Sequence, residues 1–249
     1  MKFDLLSRSS PGRRVEWFTS IDSTMNEAAR LAREGCPSGT IVGADEQTAG
    51  IGRHGHSWHS EPGAGLYVSF VLRLALDSDA LPVVMLALGL ATQQAIAEAT
   101  GLAPDLRWPN DVLLDGKKCA GVLAQFEGDA VIAGIGINVH HASFPPDLAP
   151  IATSLHLAGA CGVSREPLLA ALVRAVDDSC KILTVIGPVA IRSGFTRASS
   201  YATGRRVRVE QDDGVLEGVT AGLDPSGFLL LRLDNGTETK ILAGGVRPV

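Results

Sequence analysis

The stretch Gly50-Ile51-Gly52-Arg53-His54-Gly55-His56-Ser57-Trp58 combines glycines, an arginine and a tryptophan in one short loop. Glycine lets a backbone approach an anion closely, and successive N–H groups can then point at phosphate oxygens. Arg53 adds a fixed charge that can hold a phosphate through two hydrogen bonds, and Trp58 offers a flat face for a base. The composition indicates a nucleotide-binding loop, with a flexible surface turn as the alternative.

The run Arg107-Trp108-Pro109-Asn110-Asp111 places polar side chains directly after an apolar strand. Pro109 cannot donate to a β-ladder, so the strand is expected to end or bulge there. Asn110 and Asp111 would then face a cleft at the end of the strand. The alternative is a turn in which both side chains cap their own backbone, which is the commoner fate of an Asn-Asp pair.

Lys118 begins an otherwise apolar predicted strand, close to Gly121, which is small enough to leave room for a ligand. A lysine there can meet a negatively charged reacting group, or it can extend to the edge of the sheet. The stretch Gly134-Ile135-Gly136-Ile137-Asn138-Val139 has glycines inside a strand, which is unfavourable unless another group packs against the backbone. Asn138 carries an amide that donates and accepts hydrogen bonds, as adenine recognition requires; a glycine-kinked core strand is the alternative.

The elements that must position these stretches follow from hydrophobic periodicity and turn residues. The predicted strands are Val15–Phe18, Thr40–Ala44, Leu66–Leu74, Lys118–Phe126 and Ala130–Val139, and the predicted helices are Met25–Ala32, Leu81–Thr100, Arg165–Val185 and Pro188–Ala198. Asp22 or Ser23 is expected to cap the first helix. Residues Asp45–Gly65 lack periodicity, and a structureless segment of this length inside a compact domain is usually functional or mobile.

After Tyr201 the chain changes to short alternating segments separated by turn residues, which predict a small β-barrel. Its predicted strands are Arg205–Glu210, Gly214–Ala221, Phe228–Leu233 and Thr237–Leu242, joined by turns at Asp212-Asp213-Gly214, Asp224-Pro225-Ser226-Gly227 and Asp234-Asn235-Gly236. We therefore expect an α+β domain over residues 1–199 and a small β-domain over residues 200–249.

Composition argues against several classes of protein. The net charge is −5 and no basic stripe stands out, so DNA binding is not expected. The four cysteines form no CxxC pair, which argues against a zinc ribbon or a disulfide framework. The N-terminus lacks the apolar segment of a signal peptide, and the apolar run Leu81–Ala97 is interrupted and too short to span a bilayer. We expect a soluble, cytoplasmic protein without membrane association, and with no helix-turn-helix module before its first strand.

Taken in order, several of these motifs resemble biotin–protein ligases. They are Ser23-Thr24, Gln47, the Gly50–Trp58 loop, Trp108-Pro109-Asn110-Asp111, Lys118–Gly121 and Gly134–Val139. The resemblance runs from about Phe18 to the C-terminus. It implies a catalytic domain of the class II aminoacyl-tRNA-synthetase-like type, with a mixed sheet flanked by helices, and an SH3-like C-terminal barrel. It also implies ATP-dependent conversion of biotin to biotinyl-5'-AMP and transfer of biotin to a lysine of a carboxylase biotin carrier domain, with Mg²⁺ accompanying ATP.

The same resemblance implies roles for individual residues. Biotin would contact Ser23, Thr24, Gln47, Gly50, Arg53, Lys118, Gly121, Gly134 and Gly136. ATP would contact Arg53, Trp58, Asn110, Lys118 and Asn138, with Trp58 near the adenine and Asn138 at its edge. Lys118, Arg53 and Asp111 would be catalytic, because joining a carboxylate to a phosphate needs cations that offset the repulsion. Asp111 would anchor Lys118 and is the candidate Mg²⁺ ligand.

The chain departs from the family pattern in its loop, which is typically richer in arginine. Ile51, His54 and His56 occupy positions that are often basic, so phosphate binding is expected to be weaker or to depend on pH. Cys119, where an aliphatic residue is usual, is interpreted as core packing rather than as a nucleophile. Ala130–Val139 is considered as an edge strand that pairs two subunits in a homodimer.

Three other functions stay open at this point. Lipoate ligases and octanoyltransferases share the catalytic fold, but a fatty-acyl substrate gives no use for the polar Ser23, Thr24 and Gln47. A biotin-binding sensor without turnover fits the altered loop, whereas Lys118 argues against it. A generic nucleotide-binding protein is the weakest alternative and predicts ATP binding that is indifferent to biotin.

Overall fold

The structure is a computed structural model that describes residues 4–211 and 214–249, so the predicted turn residues Asp212 and Asp213 lie outside the described residues, as does the side chain of His54. The helices are Asp4–Ser9 (α1), Thr24–Arg33 (α2), Leu81–Thr100 (α3), Arg165–Lys181 (α4) and Pro188–Ala198 (α5). The strands are Val15–Phe18 (β1), Thr40–Ala44 (β2), Gly65–Leu72 (β3), Asp105–Arg107 (β4), Asp111–Leu114 (β5), Lys117–Glu127 (β6), Ala130–Asn138 (β7), Thr203–Gln211 (β8), Gly214–Leu223 (β9), Leu229–Leu233 (β10), Glu238–Ile241 (β11) and Gly245–Pro248 (β12).

The larger sheet has seven strands in the order β1-β2-β3-β7-β6-β5-β4. Strands β1 and β2 are parallel and the other neighbours are antiparallel, so the sheet is mixed, as predicted. Strand β7 lies between β3 and β6, and the prediction that Ala130–Val139 is an edge strand is therefore wrong. Both hydrogen-bonding edges of β7 are occupied, so it cannot pair with a second subunit, and its nearly continuous apolar sequence is typical of a strand covered on both faces. A homodimer stays a prediction without this route.

Local sequence explains how the helices begin and end. Ser23 caps α2 and accepts a hydrogen bond from the Met25 N–H at 3.3 Å, as expected for a serine at this position. Helix α3 ends at Gly101, whose φ of 72° is the left-handed conformation that glycine adopts readily. The segment predicted as one helix from Arg165 to Val185 leaves the α-helical pattern after Lys181 and continues as a π-helical turn, Ile182–Ile186.

Helix α3 is long and apolar enough to cross a membrane when length and composition alone are considered. One such helix is weak evidence, because the core helix of a folded domain passes the same test. Here α3 packs against α4, α5 and β6, and Leu86, Leu88 and Ile96 are among the fully buried side chains of the core. Its apolar composition is explained by this packing.

The smaller sheet has five antiparallel strands in the order β11-β10-β9-β8-β12, consistent with a small barrel-like domain. Strand β12 was not predicted from the sequence. The sheet is joined closely to the larger unit, since Val207 and Leu231 belong to the same hydrophobic core as Leu86. The indole N–H of Trp108 also donates to the Gly227 carbonyl at 3.0 Å. The division of the chain into domains at residues 199 and 200 stays a prediction.

Candidate active site

A cleft opens on the larger sheet where α2, the loop before β3, and strands β5, β6 and β7 meet. Its lining comprises Ser23, Thr24, Met25, Gln47, Ile51, Gly52, Arg53, Trp58, Tyr67, Val68, Asn110, Lys118, Gly121, Val122, Leu123, Gly134, Ile135 and Gly136. Residues predicted from six separate stretches of the sequence are therefore brought together. Gly50, Asp111 and Asn138 are not among the lining residues, although Asp111 contacts Lys118 and Gly50 lies beside Gln47 and Trp58.

One end of the cleft carries a buried polar cluster. The Thr24 backbone N–H and hydroxyl both donate to the side-chain oxygen of Gln47, at 2.8 and 3.0 Å. The Thr24 hydroxyl also lies 2.9 Å from that of Ser69, which is fully buried. The Gln47 amide nitrogen donates to the Ser60 hydroxyl at 3.2 Å. Sequence reasoning missed Ser69, although a lone hydroxyl inside an apolar strand was a usable signal.

The loop folds back on itself beside this cluster. The Trp58 N–H donates to the Gly50 carbonyl at 2.8 Å, and the Gly52 N–H donates to the His56 carbonyl at 2.7 Å. A Cβ atom at Gly50 would lie 2.8 Å from the Trp58 carbonyl oxygen and 3.1 Å from the Gln47 amide nitrogen. Only glycine fits this approach, and the loop therefore connects the polar cluster to Trp58.

The glycines of β6 and β7 provide space for side chains that cover the sheet. The Trp58 ring lies over Gly121 and Gly136, where an added Cβ would come within 2.8 and 2.5 Å of ring atoms. Met25 covers Gly134 in the same way, with its sulfur 2.7 Å from the position of such a Cβ. A side chain therefore packs against each of these glycines, and their predicted contact with biotin stays a prediction. Trp58 thus occupies the floor of the cleft, and its placement beside adenine stays a prediction.

Two cations and one carboxylate form the charged end of the cleft. The Lys118 ammonium lies 2.6 Å from Oδ1 of Asp111, and Arg107 donates to Oδ2 of the same carboxylate at 2.7 Å. Burial alone would raise the pKa of Asp111, but Lys118 and Arg107 outweigh burial and hold this pKa below its ordinary value. The carboxylate is therefore ionised and holds Lys118 in place. The Lys118 ammonium also lies 5.3 Å from the centre of the Trp58 ring.

Arg53 reaches the same end of the cleft from the loop. Its guanidinium donates to the side-chain oxygen of Asn110 at 3.4 Å, and the Asn110 amide nitrogen donates to the Val122 carbonyl at 2.9 Å. Burial lowers the pKa of Arg53, and the charge of Asp111 partly offsets this effect. Arginine nevertheless stays charged in proteins. Lys118 and Arg53 are therefore two cations that line the same end of the cleft.

Other predicted residues are placed as follows. Asn138 is 5% exposed and its amide donates to the Thr153 carbonyl at 3.0 Å, so its contact with adenine stays a prediction. Cys119 is fully buried, and burial raises the pKa of its thiol to about 12, which agrees with core packing. Ile51 borders the cleft but is 40% exposed, and His56 is exposed and is not among the lining residues.

Comparison with known proteins agrees with this arrangement. Residues 17–141 match the biotin/lipoate A/B protein ligase family, and residues 203–246 match the biotin protein ligase C terminal domain. The chain is 34% identical over 236 residues to the bifunctional ligase/repressor BirA of Bacillus subtilis, covering 91% of this chain and 72% of that protein. It is 31% identical over 251 residues to the biotin–[acetyl-CoA-carboxylase] ligase of Mycobacterium tuberculosis, covering 98% of this chain and 92% of that protein.

A solved structure extends the similarity to the fold. The biotin protein ligase from Aquifex aeolicus in complex with biotin and ATP aligns with a TM-score of 0.84 and 30% sequence identity, covering 95% of this chain and 99% of that chain. Strands β2 to β7 and the motifs that form the cleft lie within the first matched region, and strands β8 to β11 lie within the second. This chain belongs to the biotin–protein ligase family.

Proposed function

We propose that this chain activates biotin with ATP to form biotinyl-5'-AMP and then transfers biotin to a lysine of a carboxylase biotin carrier domain. The observation that carries the proposal is the Lys118 ammonium, which Asp111 holds in a cleft whose far end presents the Thr24–Gln47 polar cluster. A ureido ring needs hydrogen-bond donors and acceptors at one end, and a carboxylate needs a cation at the other. The cleft provides both.

In the first half-reaction, a biotin carboxylate oxygen attacks the α-phosphorus of ATP. A carbon–oxygen–phosphorus linkage forms, the bond to the β-phosphate breaks, and pyrophosphate leaves. Lys118 and Arg53 offset the repulsion between the two anions. Mg²⁺ enters this scheme with the ATP phosphates. Both oxygens of Asp111 already accept hydrogen bonds from cations, so the residue fits the role of an anchor for Lys118 better than that of a metal ligand.

In the second half-reaction, the neutral amine of the acceptor lysine attacks the carbonyl carbon of the mixed anhydride. An amide bond forms, AMP leaves, and the amine loses a proton. Water would destroy the intermediate, so we propose that the Gly50–Trp58 loop closes over it. We further propose that the reaction takes place in the cytoplasm and that the chain does not bind DNA, in line with its net charge of −5.

The test is exchange of labelled pyrophosphate into ATP by the purified chain, with biotin, lipoate and octanoate as parallel substrates. Exchange with biotin alone is expected. Exchange with lipoate or octanoate instead would overturn the assignment of biotin as the substrate. Biotin binding without exchange would favour a biotin-binding sensor without ligase activity. A second assay, transfer of labelled biotin to a purified carrier domain and to its lysine-to-arginine variant, tests the acceptor separately.

A further inference from the structure

A second group of chemically active side chains lies outside the cleft. His59, Glu61 and His141 each bring one potential ligand atom to within 4.8 Å of the others. Backbone hydrogen bonds hold the two segments together, since the Ala64 carbonyl accepts from the Val139 N–H at 3.1 Å and from the His140 N–H at 2.6 Å. The proposed ligase reaction uses none of the three side chains.

The hydrogen bonds around His141 determine which of its ring nitrogens carries a proton. The Tyr67 hydroxyl donates to the Glu61 carbonyl at 3.1 Å and lies 3.4 Å from Nε2 of His141, so we assign Nε2 as the donor to the hydroxyl oxygen. The ring is then protonated on Nε2, and Nδ1 carries a lone pair.

Nδ1 of His141 is a buried acceptor without a hydrogen-bond partner among the described atoms, in a residue that is 0% exposed. Buried polar groups are almost always paired, so this nitrogen indicates a missing ligand. Phe144 stacks on the ring with centroids 5.1 Å apart and an angle of 13°, which fixes the orientation of the ring. A neutral imidazole held through its other nitrogen by a polar partner is the usual state of a metal-binding histidine.

We propose that His59, Glu61 and His141 form a binding site for a divalent transition-metal ion, of which Zn²⁺ fits best. Two imidazoles and one carboxylate suit Zn²⁺, with water as the fourth ligand, whereas Mg²⁺ and Ca²⁺ prefer oxygen ligands alone. Tetrahedral coordination at about 2.0–2.1 Å places ligand atoms about 3.3 Å apart. Rotation of the exposed Glu61 and the half-buried His59 can close the separation from 4.8 Å, while His141 stays fixed.

The site would fasten the end of the loop that lines the cleft. His59 follows Trp58 directly, and Ser60, which lies between the two ligands on this segment, accepts the hydrogen bond of Gln47 at 3.2 Å. A metal ion that joins this segment to His141 would hold Ser60 and Gln47 in place.

The proposal is tested by titrating the purified full chain with Zn²⁺ against a chromogenic chelator. We expect one equivalent to bind, at least tenfold more weakly in His59→Ala and in Glu61→Gln. The matched control His156→Ala, at an exposed histidine, should bind like the unmodified chain. Both ligand positions are at least partly exposed, so the variants should fold, and thermal melting without metal checks this.

Co²⁺ in place of Zn²⁺ identifies the ligands, because Cys161 is an exposed thiol that can also bind metal. Visible absorption bands of tetrahedral Co²⁺ with nitrogen and oxygen ligands, without a thiolate charge-transfer band, are expected. Equal Zn²⁺ affinity in the unmodified chain and in His59→Ala, or a thiolate band that Cys161→Ser removes, would overturn the proposal. These readouts do not depend on ligase activity, so the proposed function can fail without affecting them.

Discussion

Asp111 lies between two cations, with Lys118 2.6 Å from one carboxylate oxygen and Arg107 2.7 Å from the other. The side chain of Arg107 is only 7% exposed, whereas that of Lys118 is 28% exposed and lines the cleft. One carboxylate cannot neutralise both, so the group carries a net positive charge whose accessible part is the Lys118 ammonium. An anion that enters the cleft meets a cation already fixed in position, at little cost in reorganisation.

Replacing Lys118 tests whether this cation acts in the chemistry. Lys118→Ala should lower biotin-dependent pyrophosphate exchange by about 10²–10³-fold, the usual loss when one preorganised group at a developing charge is removed. The neighbouring Lys117→Ala is the matched control, because Lys117 is exposed and donates to the Ala149 carbonyl away from the cleft. Full exchange by a folded Lys118→Ala variant would refute the central assignment.

Asp111→Asn tests a positioning role. The amide keeps the shape of the side chain but loses its charge, so Lys118 is no longer held by an ion pair. We expect kcat to fall by at least about tenfold while the biotin dissociation constant changes much less, because the polar cluster at the far end is untouched. The variant should also lose about 3–5 kcal/mol of unfolding free energy, since two partly buried cations lose their partner. Urea titration measures the loss, and an equal effect on kcat and on biotin binding would argue against positioning.

Gly136→Ala tests whether the position of the Trp58 ring over β7 matters for biotin binding. The new methyl group would lie 2.5 Å from a ring atom of Trp58, so the ring must move and biotin binding should weaken at least tenfold. Gly89→Ala in α3 is the matched control, because its nearest neighbour would be Phe195 at an ordinary 3.8 Å. That substitution should stabilise the chain by about 0.5–1 kcal/mol. Calorimetry gives both quantities, and unchanged biotin affinity in Gly136→Ala would show that the ring position is unimportant.

The site residues that sequence analysis identified lie in short runs where polar, charged or glycine residues interrupt or follow an apolar strand. Lys118 at the start of an apolar strand and Pro109 before two polar residues are local signals, and the structure brings both stretches to one cleft. Strands Val15–Phe18 and Thr40–Ala44 were predicted with the observed bounds, because each is a short, mostly apolar run with turn residues close to its ends.

The features that were missed depend on long-range packing. An apolar strand has the same sequence pattern whether it lies at the centre of a sheet or one position from its edge. The strands that neighbour β7 were therefore not predictable from its composition. The sequence likewise does not reveal that Trp58 covers Gly136 or that Ser69 meets Thr24, since each pair is joined only through the folded sheet. Helix α1 is short, with no strong apolar period to reveal it.

Arg53→Ala tests the loop. Arg53 reaches Asn110 from the loop, so its removal should leave Lys118 in place and permit adenylate formation. The adenylate should then dissociate at least tenfold faster, because a fixed charge that faces the phosphate is lost. Release of labelled biotinyl-5'-AMP after gel filtration measures this rate. Tight retention of the adenylate by Arg53→Ala would contradict the role assigned to the loop.

Asp224 gives a prediction about stability and pH. Its Oδ1 accepts from the N–H groups of Ser226 and Phe228, both at 2.9 Å, and its Oδ2 lies 2.8 Å from the Lys240 ammonium. Burial alone would raise the pKa of Asp224, but the Lys240 ammonium and the two N–H groups outweigh burial and hold this pKa below its ordinary 3.8. A lowered pKa means that the ionised form stabilises the fold above the ordinary value, and that this contribution is lost as pH falls through the lowered value.

Asp224→Ala should therefore lower the unfolding free energy by about 1.5–3 kcal/mol at pH 7, the usual contribution of hydrogen bonds to a charged group. Most of this loss comes from the two backbone hydrogen bonds, because the Lys240 side chain is 48% exposed and its ion pair is screened by solvent. In acid below the lowered pKa, the unmodified chain also loses the stabilisation that the ionised Asp224 provides. The difference in unfolding free energy between the unmodified chain and Asp224→Ala should therefore shrink. Asp224→Asn keeps a hydrogen-bond acceptor for the turn but carries no charge. Its unfolding free energy at pH 7 should lie between those of the unmodified chain and Asp224→Ala. Urea titrations across this pH range measure the difference, and a gap that stays constant into acid would show that the carboxylate charge does not stabilise this turn.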